Sequence, residues 1–288
     1  MEKINTLVIG AGQGGVATSE HLRKQGVEHV VLERGRIAER WRSERWDSLV
    51  ANGPAWHDRF PGMAFSCDDD AFADKESVAT YFEDYARMID APVRTGVIVE
   101  AVTPHAGRAG FHVQTSDGEF DALNLVSATG PFQKPSIPPI VPDAAEVTQM
   151  HSTAYRNAQA LAEGPVLVIG GGSSGSQIAA ELNDAGRDVY FSIGPHDRPF
   201  RRYRGRDNCW WLGVLGIWNM DTPAPGTEHV TIAVSGAHGG KTVDFRRLAE
   251  RGITLLGMTS GFEDGTLHIA DDLKTNINAG DDNYRSLM

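Results

Sequence analysis

The sequence predicts an α/β protein made of two Rossmann-like units, and three observations carry that reading. A short apolar strand, a glycine turn and a helix run through residues 6–24 and recur through residues 166–184, 160 positions later. A second apolar run follows each helix, at residues 30–32 and 188–193. Between the units, residues 93–126 break into short β-prone runs with turn signals, which predicts a small antiparallel β excursion. Strand, turn, helix and strand in that order make a parallel crossover, whose strands are buried on both faces and read as unbroken apolar runs.

In the first unit Thr6-Leu7-Val8-Ile9 leads into Gly10-Ala11-Gly12-Gln13-Gly14-Gly15, with glycine at the three places of a G-x-G-x-x-G pattern. Gly10 permits the tight turn, Gly12 lets a diphosphate reach the backbone, and Gly15 lets the helix approach the strand. The helix over residues 16–24, stopped by Gly26, offers unpaired N–H groups and a partial positive charge at its start. Glu33 closes the next strand 18 residues after Gly15, where a carboxylate accepts hydrogen bonds from a ribose diol. Strand, helix and acid together predict a dinucleotide with free ribose hydroxyls, FAD or NAD.

The second unit repeats the design with Gly170, Gly172 and Gly175, with Ser173 and Ser174 inside the turn, and a helix over residues 176–184 that ends at Gly186. Its strand end differs. Ser192, 17 residues past Gly175, stands in place of the acid, and Arg198, Arg201, Arg202, Arg204 and Arg206 follow. A carboxylate would repel a 2′-phosphate, whereas serine and arginine accept one. The second turn therefore predicts NADPH, with a solvated loop or a partner-binding face as the plainer account of the arginines. Two dinucleotides, one a flavin and one a nicotinamide, predict hydride transfer in which the cofactors carry the chemistry.

Residues 38–62 are rich in Trp and Arg, including Arg40, Trp41, Trp46 and Trp56, and lack periodicity. They read as a long loop, either beneath a flavin ring or packed as an aromatic cap. Asp74 is placed to cap a helix over residues 75–89, whose stripe of Val78, Tyr81, Phe82, Tyr85 and Ile89 reads as core. Thr115-Ser116-Asp117-Gly118 carries a hairpin signal. The strand ending in Ser127-Ala128-Thr129-Gly130 keeps the chain thin where it nears a nucleotide, and a proline-rich linker runs on to Pro142. The expected domains are residues 1–142, binding FAD, and residues 143–288, binding NADPH.

The totals bound the rest. A formal charge of −11 argues against nucleic acid or an anionic membrane as partner. The two cysteines, Cys67 and Cys209, form no CxxC pair, which argues for a reducing compartment and against a dithiol centre or a cysteine zinc site. The chain shows neither a run of about 20 apolar residues nor a secretory leader, so a cytoplasmic protein is expected. The aromatic stretch Cys209-Trp210-Trp211-Leu212, with Trp218, reads equally as core, substrate wall or subunit contact.

This order of landmarks resembles the two-dinucleotide-binding-domain flavoproteins, and among them the flavin-containing monooxygenases. The stretches 150–157, MHSTAYRN, and 201–207, RRYRGRD, are similar to theirs. The resemblance implies an NADPH-dependent monooxygenase that carries FAD and acts with O2 on a small organic substrate through a flavin C4a-peroxide. The alternatives are a flavin-dependent NADPH oxidoreductase without oxygen insertion and a nucleotide-binding protein without activity. On the flavin side the expected contacts are Gly10, Gly12, Gln13, Gly14, Gly15 and Glu33, then Arg34, Arg40 and Trp41, then Ala128, Thr129 and Gly130. On the nicotinamide side they are Gly170, Gly172, Ser173, Ser174, Gly175, Ser192, Arg201 and Arg202. By resemblance Asn52 is the candidate catalytic residue beside the flavin; an Asn-Gly turn is the plainer account.

Two departures stand out. The family fingerprint F-x-G-x-x-x-H-x-x-x-Y/W keeps His151 and Tyr155 but has Ala145 and Val147 for its Phe and Gly, which weakens a Baeyer–Villiger assignment. The resemblance also implies a return segment that closes over the flavin, and the expectation is that this chain lacks it. That predicts a truncated form, an open and poorly coupled flavin, or completion by a homo-oligomer or a partner chain.

Overall fold

A computed structural model describes residues 1–143, 147–221 and 231–288, so Ala145 lies outside the described residues. The chain forms two units. The first comprises Met1–Arg45, Arg59–Ser66 and Asp74–Pro135; the second comprises Trp46–Asp58, Cys67–Ala73 and Ser136–Met288.

In the first unit β1 (Glu2–Ile9), α1 (Gln13–Lys24) and β2 (His29–Glu33) make the expected crossover. They are followed by α2 (Glu39–Ser43), α3 (Lys75–Met88), β3 (Val93–Thr95), β4 (Val99–Pro104), β5 (Phe111–Thr115) and β6 (Gly118–Ser127). The sheet order is β3-β2-β1-β6-β5-β4. Strands β3, β2, β1 and β6 run parallel, and β4 and β5 pair antiparallel. The predicted excursion is thus only partly antiparallel: its first run joins the parallel sheet beside β2, and its last joins beside β1. The hairpin falls where expected, with Thr115 opposite Gly118 and the Thr115 hydroxyl donating to the Gly118 carbonyl at 2.7 Å.

The apolar runs do what their composition requires. Leu7, Val8 and Val31 are fully buried, and on one face Leu7 joins Ile4, Leu32, Val113 and Phe120 in a single cluster. Each such side chain contributes about 1.5–3 kcal/mol. Asp74 caps α3, accepting from the Ser77 N–H at 2.8 Å. The buried stripe of α3 then holds residues 59–66: the Tyr81 hydroxyl accepts from the Phe60 N–H at 2.6 Å and donates to the Met63 carbonyl at 2.9 Å. Tyr85 donates to the Pro61 carbonyl at 3.1 Å.

The second unit contains β7 (Val166–Ile169), α4 (Ser173–Asp184), β8 (Val189–Ser192), β9 (His196–Asp197), α5 (Asn208–Val214) and β10 (Thr231–Ile232). It continues with α6 (Phe245–Glu250), β11 (Thr254–Leu256), β12 (Thr259–Glu263), β13 (Thr266–Ile269) and α7 (Leu273–Ser286). Strands β11, β8 and β7 make a parallel sheet in that order. Sequence periodicity gave no sign of α7, because polar contacts seat it. Asn276 donates to the Ile193 carbonyl at 3.0 Å, and Asp281 pairs with Arg198 at 2.5 Å and also with Arg246. No helix among the described residues is long and apolar enough to cross a membrane.

Candidate functional site

The first glycine turn lies at the carboxyl end of β1, where the strands to either side, β2 and β6, leave the sheet order in opposite directions. Such switch points are where open α/β sheets bind ligands. The Gly10 N–H donates to the Leu32 carbonyl at 2.7 Å and φ is +102°, so the turn is tight and left-handed. A Cβ on Gly10 would lie 2.6 Å from the Ala128 carbonyl oxygen, and one on Gly15 would lie 1.8 Å from the Gly10 oxygen. Neither position admits a side chain. At Gly12 a Cβ would meet nothing within 4 Å, so the approach to the helix start is open. The amides of Gln13, Gly14 and Gly15 have no acceptor among the described residues, as expected for the first turn of a helix.

Glu33 sits at the end of β2 beside this opening. Its carboxylate accepts from the Ala11 N–H at 2.8 Å and the Gly35 N–H at 2.9 Å, one to each oxygen. An ionised carboxylate has about four acceptor sites, so both oxygens keep capacity. Residues 128–130 line the other side of Gly10. Arg40 turns toward the same segment, donating to the Phe132 carbonyl at 2.6 Å and to Gln133 Oε1 at 3.2 Å. Arg34 is exposed, 3.6 Å from Glu44. Trp41 is half-buried with the Arg45 guanidinium 5.8 Å from its ring, and Arg45 also lies 4.9 Å from the Phe132 ring. Burial lowers the pKa of Arg45. Arg45 falls in the Trp- and Arg-rich stretch expected beneath a flavin ring or in an aromatic cap, whereas Phe132 and Gln133 have no sequence signal beyond their position just past Ala128-Thr129-Gly130.

The second turn reproduces the first in backbone terms. Gly170 has φ +106° and donates to the Ser192 carbonyl at 3.0 Å, and a Cβ on Gly175 would lie 2.0 Å from the Gly170 oxygen. The middle glycine differs. A Cβ on Gly172 would lie 2.6 Å from Cγ2 of Thr231. The Ser173 hydroxyl donates to the Ile232 carbonyl at 3.1 Å and accepts from the Val234 N–H at 3.3 Å.

Register corrects the position counted for Ser192. It pairs with Ile169 as Leu32 pairs with Ile9, so the residue in the place of Glu33 is Ile193, which is fully buried. The Ser192 hydroxyl is saturated inside the fold. It donates to the Gly257 carbonyl at 2.9 Å and accepts from the Thr259 N–H and hydroxyl at 3.0 and 2.9 Å.

Arg201 is likewise internal, at 2% exposure. Its Nε donates to Asp207 at 2.8 Å, its Nη1 donates to the Asn52 carbonyl at 2.6 Å, and its guanidinium lies 4.5 Å from the Phe72 ring. Arg202, next to it, is exposed. Asn52 belongs to the second unit, where Gln177 Nε2 donates to its Oδ1 at 3.0 Å. With that oxygen engaged, the Asn52 amide nitrogen has no acceptor among the described residues. Gln177 Oε1 and Arg201 Nη2 are buried without a partner among the described residues.

Of the aromatic stretch, Trp210 lines a cleft with Trp56, Arg206 and residues 68–70. Trp211 donates to the Tyr203 carbonyl at 3.0 Å, and Trp218 stacks on His57 with centroids 5.1 Å apart.

Comparison with known proteins fits this arrangement. Residues 7–200 match the family model of the pyridine nucleotide-disulphide oxidoreductases. A CzcO-like oxidoreductase of Geobacillus kaustophilus is 38% identical over 220 residues, covering 75% of this chain and 62% of that protein. A probable indole-3-pyruvate monooxygenase of Arabidopsis thaliana, YUCCA4, is 31% identical over 180 residues, covering 61% of this chain and 43% of that protein. The chain thus spans about three-fifths of the length of the first curated relatives. A flavin monooxygenase structure from Stenotrophomonas maltophilia superposes with a TM-score of 0.71 at 23% identity, over 94% of this chain and 77% of that one, a likeness of fold. On the family match over residues 7–200, this chain belongs to the pyridine nucleotide-disulphide oxidoreductase family.

Proposed function

We propose that this chain holds FAD at its first glycine turn and NADPH at its second, and serves an NADPH-dependent flavin monooxygenase acting with O2 on a small organic substrate. The observation that carries the reading is the first turn: a middle glycine whose Cβ would meet nothing within 4 Å, three helix-start amides with no acceptor among the described residues, and an acid with acceptor capacity beside them. Those features fit an adenine dinucleotide. The amides of Gln13, Gly14 and Gly15 would bind the diphosphate, Glu33 would bind the ribose diol, and residues 128–130 would lie along the cofactor.

Bound flavin supplies hydride acceptance from NADPH and activation of oxygen at its C4a carbon. The chain's own part is binding, orientation and exclusion of water. At the second turn Ile193 stands in the register of Glu33, so no carboxylate at that position repels a 2′-phosphate. Exposed Arg202 is the arginine offered to it, and Arg201 supports the loop instead. Asn52, fixed through its oxygen and carbonyl, offers N–H donors as the candidate catalytic residue.

The test is an ultraviolet–visible spectrum of the purified chain after FAD reconstitution, followed by anaerobic NADPH or NADH. Flavin bands that NADPH bleaches faster than NADH support the reading; no retained flavin refutes it. Aerobic NADPH consumption that goes wholly to hydrogen peroxide, with no oxygenated product, favours the oxidoreductase without oxygen insertion.

A further inference from the structure

The two glycine turns are duplicates, so each serves as the control for the other. Their first glycines share a left-handed φ, +102° and +106°, and their third glycines share Cβ clashes at 1.8 and 2.0 Å. They part at the middle glycine. A diphosphate reaches the helix start past that position, because no side chain stands there. Gly12 faces open space, whereas the Thr231 methyl fills the same approach at Gly172. At 2.6 Å from an ideal Cβ, that methyl is well inside carbon–carbon contact, so it also excludes a phosphate oxygen.

The obstruction is a short strap with its own bonds. Residues 231–232 pair in parallel with His196 and Asp197, and the Ala233 N–H donates to the Asp197 carbonyl at 2.9 Å. The next contacts imitate a ligand. The Ile232 carbonyl accepts from the Ser173 hydroxyl at the first helical position, and the Val234 N–H donates to it. Meanwhile the amides of Ser173, Ser174 and Gly175 have no acceptor among the described residues. The strap therefore engages one hydroxyl and itself supplies no acceptor to the three amides, and no countercharge to the positive helix end, that a diphosphate matches.

We propose that residues 231–234 form a strap that sits on the second glycine turn as a pseudo-ligand, and that a nicotinamide dinucleotide binds by displacing it. The inference rests on the nucleotide reading of the second turn. Binding exchanges a few neutral hydrogen bonds for charge-assisted ones, and apparent affinity is the intrinsic affinity scaled by the fraction of molecules with the strap open. Thr231 then sets coenzyme affinity without touching the coenzyme.

The experiment titrates the full chain with NADP+ by calorimetry and follows amide hydrogen exchange at Ala233 and Val234. Thr231→Gly removes the obstructing methyl and loosens the strand; Thr231→Ser removes the methyl alone. The expected result is a Kd at least threefold tighter for Thr231→Gly, a smaller gain for Thr231→Ser, and faster exchange at both amides once NADP+ binds. NADP+ binding with equal or weaker affinity to the variants, or with unchanged or slower exchange, overturns the strap and leaves the nucleotide reading standing. NADP+ binding to neither wild type nor Thr231→Gly overturns both.

Discussion

Alanine at Gly12 and alanine at Gly15 should have opposite effects on stability, and only the first should weaken a ligand without disturbing the fold. At Gly15 the added Cβ would lie 1.8 Å from the Gly10 oxygen and 2.9 Å from its carbonyl carbon. The obstacle is backbone, so the start of α1 must shift by about 1 Å or more. Overpacking of that kind costs about 1–3 kcal/mol, taken at the upper end here, and lowers the thermal midpoint by roughly 5 °C in a chain of this size. At Gly12 the backbone, φ −83° and ψ −163°, suits any L-residue, and the Cβ meets nothing. Restricting the unfolded chain should then stabilise by about 0.4–1 kcal/mol, or a few degrees. The methyl would instead stand in the diphosphate's path and weaken FAD at least tenfold, about 1.4 kcal/mol or more. Differential scanning fluorimetry gives the midpoints and a flavin-fluorescence titration gives the affinities. A Gly12→Ala protein with undiminished FAD affinity would refute the ligand argument. A Gly15→Ala protein with the wild-type midpoint would refute the packing argument.

Other expectations follow from single contacts. Burial, followed by Asp207, pushes the Cys209 thiol up to about 12, so at pH 8 about one molecule in 10⁴ carries the thiolate; a Cys67→Ser protein should resist Ellman's reagent until denatured, and rapid labelling of the native form would contradict the burial. Gly280 lies within α7, where alanine ordinarily gains about 1 kcal/mol, yet its Cβ would lie 2.4 Å from His196 Nε2. Gly280→Ala should therefore cost about 1–3 kcal/mol and lower the urea midpoint, and in a His196→Ala background the same substitution should cost less; a raised midpoint would refute the contact. Arg201→Lys cannot bond Asp207 and the Asn52 carbonyl together, so it should lower the thermal midpoint by several degrees. Arg202→Ala should leave the midpoint alone and weaken NADP+ relative to NAD+; equal effects of the two substitutions on the midpoint would sink the distinction.

Backbone-scale features were legible in the sequence, and side-chain partnerships were not. Both crossovers, the Asp74 cap and the 115–118 hairpin follow from local rules of period, capping and turn chemistry, and they fall where those rules put them. Helix α7 escaped because its seat is polar: Asn276, Asp281 and a glycine against a histidine leave no apolar stripe to read. Ser192 was counted one residue out of register, since the second strand carries no acid to mark its end. Arg201 reads as a phosphate contact from sequence because sequence gives charge without direction. Its partner Asp207 is six residues away, but Asn52 is 149 residues away, and no local rule connects them.

The duplicated turn separates what the fold demands of a glycine motif from what a ligand demands. At Gly10 two requirements coincide, a left-handed φ and the Ala128 carbonyl 2.6 Å from any Cβ; at Gly170 only the φ remains, because a Cβ there meets nothing within 4 Å. The difference lies in the strand on that side: β6 flanks β1 and delivers Ala128, whereas β7 has β8 as its only partner in the described sheet. The third glycine is demanded by its own turn in both units. The middle glycine alone is free of the turn, so what stands before it identifies the occupant for which the space is kept. Before Gly12 that space is open. Before Gly172 it is filled by Thr231, so in this unit the chain itself suffices to require the glycine, and the pattern G-x-G-x-x-G counts as a nucleotide signal there only so far as the strap can be moved.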